Sequence, residues 1–130
     1  MRITSDFDKL SFHDAGIAKI VREDGCILIS IEGAFISSDH PQAGEKDWVV
    51  ESGTLKLLGV ISEEAKYWDD TKAAREHPQP EMPLDEIMHA SLENDVFHFD
   101  GFRGSVPWFE WFVTAQGFAL EVIAANEKNS

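Results

Sequence analysis

Five histidines, 24 acidic side chains and a single cysteine are the groups through which this chain could do chemistry. His13-Asp14 is the most suggestive dipeptide, because an imidazole beside a carboxylate is the raw material of general acid–base catalysis. Successive residues on an extended segment point to opposite faces, so the two are poorly disposed to act as a dyad. The surrounding Leu10-Ser11-Phe12-His13-Asp14-Ala15-Gly16 reads better as structure. Phe12 anchors the segment in the core, the imidazole bonds backbone at a sheet margin, and Asp14 accepts amide hydrogens in the turn leading to Ala15-Gly16. The enzymatic alternative is a hydrolase or small-molecule enzyme using His13 with carboxylates brought near by folding.

A metal site needs three or four His, Asp, Glu or Cys ligands converging on one point. The histidines, His13, His40, His77, His89 and His98, form no paired-His motif. The nearest candidate set is His98-x-Asp100, whose side chains share a strand face, opposite His89 across a hairpin. Cross-strand pairing on a solvated face accounts for the same residues, so neither a metal nor another cofactor is expected. Cys26 falls inside an apolar strand, where a thiol behaves as a small hydrophobe. Neither a Gly-x-Ser-x-Gly elbow, nor Gly-x-Gly-x-x-Gly, nor a P-loop pattern occurs in the sequence, so nucleophilic and nucleotide chemistry are not signalled. No catalytic residue is assigned.

The elements that must position these groups read as strands. Ile17–Glu23 and Cys26–Glu32, separated by Asp24-Gly25, form a β-hairpin in which both turn residues are expected at positive φ. Ile27, Ile29 and Ile31 share its buried face. Ser37–Gly44 reads as a surface loop, and Ser52-Gly53 as the turn of a second hairpin between Asp47–Glu51 and Thr54–Ile61. Glu86–Leu92 and Val96–Phe102 pair through Asn94-Asp95, a helix over 84–92 being the competing reading. Val106–Val113 and Phe118–Ile123 follow, with a turn at Gln116-Gly117 and a strand start or edge position at Pro107. Residues 62–83 interrupt this rhythm as an acidic, proline-containing excursion, with Ser62 capping a short helix in 62–76. The expected fold is all-β, an antiparallel sandwich or partly open barrel of about eight strands in a single domain over 1–130, without internal repeats.

Charge narrows the function classes. The formal net charge is −13, which repels phosphate backbones and anionic lipid, so neither nucleic acid nor a membrane is an expected partner. Residues 63–100 alone hold 11 acidic and 3 basic side chains. The N-terminus carries charge where a secretory leader needs an apolar run, and the lone cysteine fits a reducing compartment, so a cytoplasmic location is expected. Nine Phe and four Trp exclude a disordered acidic chain. Trp108, Phe109, Trp111 and Phe112 occupy both faces of one strand. Either that strand is central and covered on both sides, in part by the 62–83 excursion, or it exposes an aromatic patch for a homo-oligomer or a partner.

Leu10-Ser11-Phe12-His13-Asp14-Ala15, followed by Ile17, Ile20 and Leu28–Gly33, resembles small bacterial all-β proteins that open with a Phe-His-Asp-Ala/Ser segment. A looser echo runs from Glu86-Ile87-Met88 through Val96–Phe99. Some of those proteins are immunity proteins of polymorphic-toxin systems. The resemblance implies an antiparallel fold in a bacterial cytoplasm and supplies no catalytic residue. Charge and aromatics together favour a non-catalytic protein that binds a basic partner through Glu63, Glu64, Tyr67, Trp68, Asp69 and Asp70, and the resemblance implies that it could be an immunity-type inhibitor of that partner. A homo-oligomeric structural module is the remaining alternative.

Overall fold

The computed structural model describes residues 1–68, 74–77, 79–104 and 106–128. Its elements in chain order are β1 (Arg2–Ile3), a 3-10 turn (Phe7–Lys9), β2 (Leu10–Ser11), β3 (Ala15–Glu23), β4 (Cys26–Glu32), β5 (Ala34–Ile36), β6 (Trp48–Trp68), β7 (Ala74–Glu76), β8 (Glu86–Glu93), β9 (Val96–Arg103) and β10 (Val106–Glu127). The chain is all-β, with every described pairing antiparallel. The described strands number ten rather than about eight: four short strands are added, and two expected pairs are each one long strand, β6 and β10. Among the described residues no helix is long and apolar enough to cross a membrane.

Six strands pair in a ring: β3 with β4, β4 with β6, β6 with β10, β10 with β9, β9 with β8, and β8 with β3. This is the barrel of the two expected architectures. Its narrow seam is β3–β8, where only Ala15↔Ile87 and Gly16↔Glu86 are in register. Asp14 N–H donates to the Ile87 carbonyl at 2.8 Å and Ile17 N–H to that of Asp85 at 2.8 Å, extending the seam by a residue at each end. Period-two alternation fills the interior: Ile27, Ile29 and Ile31 from β4, Leu55 and Leu57 from β6, Phe97 and Phe99 from β9, and Trp111 and Val113 from β10 are all buried. Each such side chain contributes roughly 1.5–3 kcal/mol by leaving water. Phe12 is buried as expected.

The two hairpins form where the turn dipeptides place them. At Asp24-Gly25 only the glycine takes a positive φ, 70°, so the mirror-image turn expected there is not the one adopted. Asn94 and Asp95 both do, at 51° and 64°, which meets the requirement of a two-residue hairpin turn. Residues 86–93 are strand and not helix. Although no repeat is visible in the sequence, the hairpins match: each shifts register once, between Ile17 and Lys19 in β3 and between Ile87 and His89 in β8. Each then lies against one long strand, β4 against β6 and β9 against β10.

Three expected breaks are corrected. Ser52-Gly53 is not a turn, because β6 runs unbroken from Trp48 to Trp68. Glycine stands there for closeness: a Cβ on Gly53 would lie 2.9 Å from the Glu121 carbonyl oxygen of the partner strand. Gln116-Gly117 is likewise interior to β10. In place of the helix expected in 62–76, the described residues are strand, since Ser62–Trp68 continues β6 and pairs with both β10 and β7, while residues 69–73 lie outside the described residues. Ala65 and Tyr67 reach the core from alternate positions, so tertiary packing overrides a local helical preference. Long strands absorb their mismatch in bulges. Ile61 and Ile123 sit at register shifts and are 69% and 73% exposed, which explains apolar residues on the surface there.

The Ser37–Gly44 segment is a loop, but its His40 and Ala43 are buried. His40 Nε2 lies 3.0 Å from the Ser5 carbonyl and its Nδ1 accepts the Gln42 N–H at 3.0 Å. His77 repeats the arrangement, with Nε2 2.8 Å from the Pro83 carbonyl and Nδ1 accepting the Gln79 N–H at 2.8 Å. Each pins a loop through a His-Pro-Gln tripeptide.

Candidate functional site

Strand alternation divides the acidic and aromatic residues expected to meet a partner. Tyr67 turns inward and stacks on Phe109, with ring centroids 5.7 Å apart. Glu63, on the same side of the strand, accepts Arg22 Nε at 2.9 Å and Nη2 at 2.8 Å, and the Trp111 indole N–H at 3.2 Å. Arg22 also donates to the carbonyls of Glu81 and Pro80, at 2.9 and 3.2 Å, tying the proline-rich return loop to the end of β3. Burial raises the Glu63 carboxyl, but Arg22's hydrogen bonds and charge, with the Trp111 indole, outweigh it and hold the group below the usual carboxylate range. Glu63 is therefore engaged within the fold.

Glu64 and Trp68 occupy the opposite face, turned away from the core. Glu64, its side chain largely in solvent, pairs with a half-buried Lys66 at 3.4 Å. Trp68 is 38% exposed and donates its indole N–H to Glu110 Oε2 at 2.6 Å. Asp69 and Asp70 lie outside the described residues. A helix would have gathered several of these residues on one side; the extended backbone splits them.

The same outer face continues across β10, β9 and β8. Glu110 and Asp100 are direct cross-strand partners, as are Asp100 and His89. His98 Nε2 lies 3.1 Å from Glu110 Oε1, and His89 Nδ1 lies 3.0 Å from Asp100 Oδ1. The His98 ring lies flat on Phe112, centroids 4.3 Å apart with an interplanar angle of 6°. Candidate ligand atoms of His98, Asp100 and Glu110 all fall within 4.8 Å of one another. The spacing of His98, Asp100 and His89 was legible in the sequence. Glu110 was not, because it stands in an aromatic run and joins the others only through the β9–β10 register.

His13 borders this face, its ring 6.2 Å from that of His89. Its Nδ1 bonds the Met88 carbonyl at 2.9 Å, the backbone role expected of it. Its Nε2 lies 3.4 Å from Asp14 Oδ2, closer than an extended pair allows. The reason is local: Asp14 has a φ of 65°, which takes it out of extended geometry. Both side chains are exposed.

The aromatic strand is covered on both sides for much of its length. Phe109, Trp111 and Val113 face the core, Phe112 lies under His98, and Trp108, 40% exposed, stacks on Phe102 at 5.3 Å. Comparison of the chain with protein-family models, curated proteins and solved structures returns no match.

Proposed function

We propose that this chain is a non-catalytic binding protein that engages a basic protein partner, in the manner of an immunity-type inhibitor, through the outer face carrying Glu64, Trp68, Asp100 and Glu110. The observation that carries the reading is Trp68: its polar edge is held by Glu110 while its ring stays open to solvent on the strand face it shares with Glu64. A rigid, amphipathic aromatic ringed by carboxylates is the composition of an interface hot spot for a cationic surface. The concentration of acidic side chains in 63–100 adds long-range attraction. His13 lends less to an enzymatic reading, since one ring nitrogen is committed to the Met88 carbonyl.

The test is capture from a lysate of the protein's own source by tagged wild-type chain, Glu64→Lys and Trp68→Ala in parallel, at low and high salt. The reading expects a basic protein retained by the wild type, released by salt and depleted with both variants. Identical capture by all three chains, or capture indifferent to salt, overturns it.

A further inference from the structure

We propose that His98, Asp100 and Glu110 form a binding site for a divalent first-row transition-metal ion of the zinc type, with His89 and Trp68 as positioning residues. The site shares Trp68, Asp100 and Glu110 with the protein-binding face but is argued from different observations, and its test needs no protein partner. Asp100 and Glu110 are directly opposed carboxylates on adjacent strands, an arrangement that costs stability when nothing positive lies between them. Among the described side chains, their neighbours at hydrogen-bond distance are histidines and an indole, and Lys66, directly opposite Glu110 on β6, pairs with Glu64 instead. A divalent cation removes that repulsion at its source.

The donor geometry fits such an ion. Two ligand atoms sharing a tetrahedral metal at bond lengths of roughly 2.0–2.2 Å stand about 3.3–3.6 Å apart, and His98 Nε2 and Glu110 Oε1, separated by 3.1 Å, need open only slightly to admit one. The separations that involve Asp100 lie within 4.8 Å, and binding requires its carboxylate to turn toward the other two donors. Orientation is already set from outside the donor set. Phe112 fixes the plane of the His98 ring, and the Trp68 indole occupies Glu110 Oε2, which leaves Oε1 as the donor. His89 does the same for Asp100. Such outer partners are what hold metal ligands in place. The side chains of His98, Asp100 and Glu110 are 33%, 25% and 19% exposed, so the site is partly desolvated yet open on one side for water or an exogenous ligand. One imidazole with two carboxylates favours zinc or cobalt over magnesium and calcium, which prefer all-oxygen sites.

The experiment is calorimetric titration of tag-free, metal-stripped full-length chain with Zn²⁺, together with Co²⁺ titration read by visible absorption. Wild type, His98→Ala, Glu110→Gln and His13→Ala are compared, each checked for native far-UV circular dichroism. Expected are one ion per chain in the wild type and in His13→Ala, weakening by more than about tenfold in the other two, and no displacement by excess Mg²⁺. Glu110→Gln keeps the shape of the side chain, so it decides the matter if His98→Ala does not fold. Absence of binding by the wild type, equal binding by Glu110→Gln, or displacement by Mg²⁺ overturns the proposal, the last by marking diffuse attraction to an acidic surface.

Discussion

Arg22 and Glu63 stand 41 positions apart and meet in a two-pronged ion pair, Nε to Oε2 at 2.9 Å and Nη2 to Oε1 at 2.8 Å. The pair ties the end of β3 to the far half of β6, two strands that are not neighbours in the ring. The Trp111 indole donates to the same carboxylate, and the guanidinium lies 5.9 Å from the centre of that ring, so a core tryptophan and a surface loop share one anchor.

That anchor predicts acid sensitivity. Glu63 titrates below the usual carboxylate range in the folded state, so its contribution to stability is complete above the unfolded carboxyl's pKa and is lost as pH falls through the folded value. Glu121, held low by its hydrogen bond to Lys56, loses its contribution in the same sense. Urea midpoints of the wild type should therefore fall from about pH 4.5 downward. Glu63→Gln should start lower at neutral pH and decline less steeply. Parallel curves for the two chains would remove Glu63 from the account. Arg22→Ala should cost about 1–2 kcal/mol at neutral pH, partial solvent exposure keeping it modest.

Gly101 predicts a steric failure. A Cβ there would lie 1.9 Å from the Glu86 carbonyl oxygen, a backbone atom of the neighbouring strand that cannot rotate away. Gly101→Ala should cost about 3 kcal/mol or more, or prevent folding, because the β8–β9 ladder must part. Gly16→Ala, whose added methyl meets nothing within 4 Å, is the control and should stay within about 1 kcal/mol of the wild type. Comparable thermal midpoints for the two variants would contradict the geometry.

The two buried histidines predict graded losses. His40→Leu strands the Ser5 carbonyl and the Gln42 N–H, and His77→Leu strands the Pro83 carbonyl and the Gln79 N–H. His77→Leu should cost about 2–3 kcal/mol, the penalty for leaving buried polar groups unpaired, and His40→Leu about 1–2 kcal/mol, because Ser5 and Gln42 are exposed and water can replace the imidazole there. Exposed His13→Leu should cost less than about 1 kcal/mol. Denaturant unfolding of the three variants checks the ranking.

Partner kinetics should separate the two surface residues on the outer face. Trp68→Ala should leave association unchanged and raise the dissociation rate, since a desolvated ring acts after contact. Glu64→Lys should lower the association rate at low salt, and the difference should vanish at high salt. Surface plasmon resonance at two ionic strengths distinguishes them, and an association rate insensitive to both charge and salt would discard the electrostatic component.

Much of the fold was legible because its signals are local. Alternating Ile27, Ile29 and Ile31, and the Asp24-Gly25 and Asn94-Asp95 dipeptides, specify two hairpins and their inner faces within a few residues of chain. Phe12 in the core and the backbone bond of His13 follow from the same local reading. The His98-x-Asp100 spacing announced half of the polar cluster for the same reason: period two is a property of any strand.

What required the tertiary structure is everything that depends on a partner strand. A glycine can mark a turn or a close approach, and at Gly53 the choice is made by the Glu121 carbonyl against it. Ser62–Trp68 became strand because β10 offers an unbroken ladder, and that alternation parted Glu63 and Tyr67 from Glu64 and Trp68. Glu110 joined His98 and Asp100, and Arg22 found Glu63, through registers that no short stretch of sequence encodes. The sequence by itself determined which segments are extended and which of their faces seek the core, since backbone sterics and side-chain burial act residue by residue. Which strands adjoin, and so which charges meet, was decided only when the ring closed, because that choice balances packing summed over the whole barrel.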